Sequence, residues 1–124
     1  MSKRLLGGLR RGFTLVEIMI VILIIGMLLT IALPNFIRAR EGANAKACQD
    51  NMRQIVTAKE RWSMEKQMPA SATPTFADLV GSDAYLLNQP VCPGGGTYAI
   101  GNLTTQPTCT IGGTVGEFNA HVLP

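Results

Sequence analysis

Arg10 to Phe36 reads RRGFTLVEIMIVILIIGMLLTIALPNF, and this stretch decides the fold. From Phe13 to Leu33 it is apolar on every side except at Glu17 and two threonines. About twenty such residues, at about 1.5 Å each along a helix, match the ~30 Å hydrocarbon core of a bilayer. The run therefore predicts a membrane-spanning helix. Lys3, Arg4, Arg10 and Arg11 precede it, and positive charge stays cytoplasmic, so everything after Pro34 is expected to be exported.

Outward from the run, the pattern changes without stopping. From Asn35 to Lys66 the chain is polar, with a stripe at Ala45, Cys48, Met52, Ile55 and Trp62 whose three- and four-residue spacing predicts an amphipathic helix. One helix is thus expected from Phe13 to about Lys66, weakened at Gly26 and bent at Pro34, which lacks a backbone donor. The Pro-bearing stretch Gln67 to Thr75 ends it. Thr75-Phe-Ala-Asp78 has capping-box spacing and predicts a short helix over Phe76 to Val80. Thr97 to Leu103 and Thr108 to Ile111 are short β-rich runs bounded by turn residues, and they predict a small antiparallel sheet packed on the helix stripe. The Gly-rich tail from Gly112 to Pro124 reads as loosely held. The expected fold is α+β and lollipop-shaped, in three stretches: a leader over 1–12, a membrane half of the helix over 13–34, and an exported globular domain over 35–124.

Composition narrows the function. The 124 residues carry a net charge of +3, but four of the eleven basic residues lie in the leader, and the remaining seven face eight acidic ones. A nearly neutral body is a poor electrostatic match for nucleic acid. Three cysteines leave one unpaired. Cys92 and Cys109, both in turn-rich sequence, are expected to form a disulfide of about 3 kcal/mol, with two free thiols as the alternative, and Cys48 on the helical stripe reads as a small buried apolar group.

The feature that calls for an explanation is Glu17. An acid at the centre of a membrane helix costs about 2.5 to 3.5 kcal/mol, and no Lys or Arg lies between Phe13 and Ile37 to offset it. Cleavage after Gly12 would create a partner, a new α-amino group on Phe13. At this point the sequence closely resembles the class III signal of type IV prepilins and type II secretion pseudopilins. The resemblance implies cutting after Gly12 by a membrane-embedded prepilin peptidase that then methylates Phe13, and pairing of Glu17 with the Phe13 amine of a neighbouring subunit. It places Pro34 on the family's helix-kinking proline and Gly26 to Pro34 where such helices loosen on assembly. It further implies a homo-oligomeric helical filament with other pilin-like subunits, built from the bacterial inner membrane by a platform protein and a cytoplasmic ATPase, and ending periplasmic or extracellular. The runs VCPGGGTYAI and PTCTIGG resemble, less specifically, the family's small C-terminal sheet and disulfide. Major secretion pseudopilins commonly carry a calcium-binding acidic loop; here Asp78, Asp83 and Glu117 are widely separated, so no calcium is expected.

Other readings fare worse. An ordinary signal peptide has a shorter apolar core ending in an A-x-A-like site, whereas this run is long and offers only Thr30-Ile-Ala32. Arg10-Arg11 mimics a twin-arginine export signal, but the run is too apolar. Gly94 to Gly96 lacks the GK[ST] of a phosphate loop and reads as a turn. His121 is the single histidine and is expected on the exposed tail, so no metal site, no cofactor and no catalytic set, including Cys48 with His121, is expected. Two rivals remain, an anchored binding module that does not polymerise and a small anchored enzyme.

Overall fold

The computed structural model describes residues 11–124; the proposed leader, with Lys3, Arg4 and Arg10, lies outside the described residues apart from Arg11 and Gly12. Four elements follow in order: helix α1, Leu15–Lys66; helix α2, Phe76–Leu79; and strands β1, Tyr98–Ala99, and β2, Thr108–Cys109. The expected α+β class, long helix and antiparallel pair are all present. Helix α1 keeps its helical backbone through Pro34. The chain divides into two compact units, one ending at Phe36 and the other running from Ile37 to Pro124.

Helix α1 stops where its backbone can be terminated. Gln67 takes a left-handed conformation with φ of 52°, and the Met68 N–H donates to Ser63 O at 3.1 Å, which closes a Schellman turn just before Pro69. Asp78 then accepts from the Thr75 N–H at 2.8 Å and the Thr75 hydroxyl at 2.7 Å, starting α2 as the spacing predicted. These two bonds hold the Asp78 carboxyl below its ordinary range.

In the second unit the expected stripe is buried at every position, joined by Ala58 and Lys59. Ile55, Ala58, Trp62, Leu79 and Ile100 form one core cluster, with Phe76, Tyr85, Leu86 and Leu103 against it. Cys48, Met52, Cys92 and Cys109 form the other, with Leu123 against it, and Tyr98 packs on both. The sheet is minimal: Tyr98 pairs with Cys109 and Ala99 with Thr108. Two strands of this length are not stable alone, so the helix must supply their support.

Lys59 is a large part of that support. Its side chain is 2% exposed, and its ammonium donates to the carbonyls of Ile100 at 3.0 Å, Asn102 at 2.9 Å and Thr105 at 2.7 Å. One cation thus gathers the whole β1–β2 loop onto α1. Its burial lowers the Lys59 pKa. Sequence periodicity had no means of marking a lysine as core. The tail also departs from expectation: Ala120 and His121 are buried, because the Gln49 amide donates to Ala120 O at 2.9 Å and the His121 N–H donates to Gly112 O at 2.7 Å.

Two outcomes follow for stability. Lys59→Met strands three carbonyls and is expected to lower unfolding free energy by about 2 to 3 kcal/mol in urea titration. Gln67→Gly removes left-handed strain and is expected to raise it by about 1 kcal/mol.

Candidate functional site

The first unit is a single helical segment. Its seventeen large apolar side chains from Phe13 to Phe36 are all exposed, Phe13 to 82%. At about 1.5 to 3 kcal/mol per such side chain, leaving them in water costs on the order of 30 kcal/mol, several times what a small domain has to spare. The helix is long and apolar enough to cross a membrane, and its most apolar eighteen-residue window buries none of its surface. It anchors the chain in a membrane or packs on other helices.

Glu17 sits at the entry to this helix, four residues after Phe13. Its carboxylate accepts from the Thr14 N–H at 3.4 Å, while the Glu17 N–H donates to the Thr14 hydroxyl at 3.2 Å. Thr14-Leu-Val-Glu17 is therefore a capping box, and the positive end of the helix dipole also favours an acid there. From its sequence Glu17 is expected to have no local partner. Its own first turn supplies one, and the T-x-x-E spacing that signals it was legible. Gly12 and Phe13 lie exposed beside it in an open depression with Arg11. Further along, Gly26 has open space where a Cβ would stand, and its carbonyl accepts from the Thr30 hydroxyl at 2.9 Å. Pro34 and its neighbours are exposed.

These observations meet in the comparisons with known proteins. Residues 9–33 match the family model of the prokaryotic N-terminal methylation motif. The competence protein ComGC of Bacillus subtilis is 33% identical over 85 residues, 68% of this chain and 83% of that protein. The chain belongs to the type IV prepilin and type II secretion pseudopilin family. It is a structural subunit of the filament-forming kind. The type IV major pilin PilA of Myxococcus xanthus is 43% identical over 71 residues, 57% of this chain and 30% of PilA, so the likeness to PilA covers a minor part of its length. The type II secretion system core protein G of Escherichia coli is 28% identical over 105 residues, 75% of this chain and 72% of that protein. These relatives are structural proteins rather than enzymes. No solved structure matches the chain.

The second unit holds a cluster that the sequence did not assemble. Cys92 and Cys109 are free thiols rather than the expected disulfide, and Cys48 and His121 share their space, with all four side chains buried. Cys48 comes from α1, Cys92 from the turn before Gly94, Cys109 from β2 and His121 from the tail. The expected exposed histidine is thus a core residue, its Nδ1 3.3 Å from Cys92 Sγ. Burial pushes the Cys48 thiol up to about 12. Burial pushes Cys92 in the same direction, but the N–H groups of Gly96 and Gly94, with Cys48 and His121, outweigh it and bring Cys92 down to about 7. Cys92 and His121 stand at nucleophile–base distance, yet Cys92 is 2% exposed and has no route to a substrate of any size.

Proposed function

We propose that the chain is cut after Gly12 by a prepilin peptidase, methylated on Phe13, and drawn from the inner membrane into a filament of its own copies and other pilin-like subunits. The observation that supports this most is the uncovered apolar helix: seventeen large side chains that require lipid first and neighbouring helices afterwards. Lipid and helix neighbours are similarly apolar, so the exchange gains little by itself. Assembly then needs work from outside the chain, supplied by a cytoplasmic ATPase through a membrane platform. Residues 35–124 form the exported part and need no catalytic group, so the chain is not an enzyme. An anchored module that does not polymerise is less consistent with relatives that are pilins and pseudopilins.

Glu17 has two roles in this reading. Before assembly it caps its own helix. In the filament its carboxylate meets the Phe13 amine of the next subunit, and the low dielectric around both strengthens the attraction and sets the axial step. Glu17→Gln separates the roles, because glutamine keeps a capping acceptor without the charge. Filaments sheared from cells should disappear in Glu17→Gln while the membrane-bound subunit stays at its wild-type level. Filaments of normal yield would remove the charge pair from the mechanism. Intact-mass analysis of the native protein should give a chain that begins at methylated Phe13; one that begins at Met1 or Leu33 would contradict the processing step.

A further inference from the structure

The filament reading makes no use of Cys48, Cys92, Cys109 and His121, and their arrangement is not that of a casual core. Their four ligand atoms all lie within 4.8 Å of one another, and every one of the residues is buried. Zinc bound at about 2.3 Å to sulfur and about 2.0 Å to nitrogen, with tetrahedral angles, sets ligand atoms about 3.5 to 3.8 Å apart. The separation of 3.3 Å between Cys92 Sγ and His121 Nδ1 is close to that figure. The geometry points to a structural zinc site, in which the three thiolates and the imidazole of this unit hold one Zn2+ with no position left open.

The surroundings fit an ion better than they fit packing alone. Three thiolates and a neutral histidine around Zn2+ leave one net negative charge, and the thiol protons pass to solvent on binding. Gly94 and Gly96 border the cluster, and Tyr98 packs on it. Both glycines are required by closeness: a Cβ at Gly96 would lie 2.6 Å from Cys109 Sγ, and one at Gly94 would lie 2.8 Å from the His121 ring. Two of the ligand-bearing segments are also held independently. Asn51 donates to Val91 O at 3.0 Å beside Cys92, and Gln49 donates to Ala120 O at 2.9 Å beside His121. Such outer contacts are what fix metal ligands in orientation. An open depression bordered by Glu41, Asn44, Asn119 and His121 reaches the histidine side of the cluster.

A Cys92–Cys109 disulfide is the rival use of the same atoms. The full-length chain, purified in detergent without chelator, is tested first for metal content by plasma mass spectrometry and for thiols after denaturation. The site predicts one zinc per chain and three reduced cysteines that resist alkylation until a chelator is added. Replacement by Co2+ should give the visible bands of a tetrahedral thiolate complex. Cys48→Ala is the deciding variant, since it leaves both cysteines of the disulfide in place. It should weaken Zn2+ binding, measured against a competing chelator, by more than the ~10 to 100-fold typical of losing an outer contact. Wild-type chain without zinc and with two cysteines oxidised overturns the proposal, whatever the variant does. So do three free thiols that bind Zn2+ no more tightly than Cys48→Ala.

Discussion

A helix that buries nothing of its own governs the rest of this molecule. From Phe13 to Ile37 the apolar side chains point in every direction around α1, so no single face can be turned inward on a small domain. Only a surrounding medium, lipid or a ring of like helices, removes all of them from water. The chain is therefore incomplete as a monomer in solution, and the second unit can remain small because it does not have to cover this surface. Membership of the pilin and pseudopilin family is the biological form of that constraint.

Much of this was legible because it depends on periodicity and length. Twenty apolar residues predict a membrane helix on any scale, and the stripe from Ala45 to Trp62 predicted its buried face position by position. The Thr75-to-Asp78 spacing placed α2 for a local reason, a side chain answering a backbone donor three residues away. Where the reading fell short, the deciding contacts join residues distant in sequence. Lys59 meets carbonyls more than forty positions away. His121 and Ala120 are buried by groups on α1 and in the turn after β2, and a Gly-rich tail carries no periodic trace of such contacts. The cysteine and histidine ligands share no short knuckle such as C-x2-C, so nothing in their spacing announced a common site.

Glu17 has more than one physical reason for its place at the start of the apolar helix. In an apolar run such an acid is expected to need a charge from elsewhere. The structure supplies two reasons that need no second molecule, the bond to Thr14 and the helix N-terminal field. Its depth lessens that need too, since four residues at about 1.5 Å each place it about 6 Å from Phe13, nearer an interface than the bilayer centre. The proposed intermolecular role rests on family resemblance and on the amine that cleavage after Gly12 would free at Phe13, and the capping box would keep the same carboxylate in place until that amine arrived.

The economy of the second unit gives the thiol cluster its importance. Two strands of two residues each, one short helix and long turns provide little regular hydrogen bonding, and the apolar cores are correspondingly small. Domains built this way need a covalent or coordinate tie. A disulfide between Cys92 and Cys109 would close only the turn and the strand on each other. A tetrahedral ion joins those two to the helix through Cys48 and to the tail through His121, fastening four segments at one point. Lys59 does the same at the other end of the unit, where a single cation gathers three carbonyls of one loop. The two centres lie eleven residues apart on the same helix, at Cys48 and Lys59, about three turns, so their side chains leave from one face. That face holds the irregular half of the unit through two polar anchors, with the apolar side chains of Met52 and Ile55 filling the space between them.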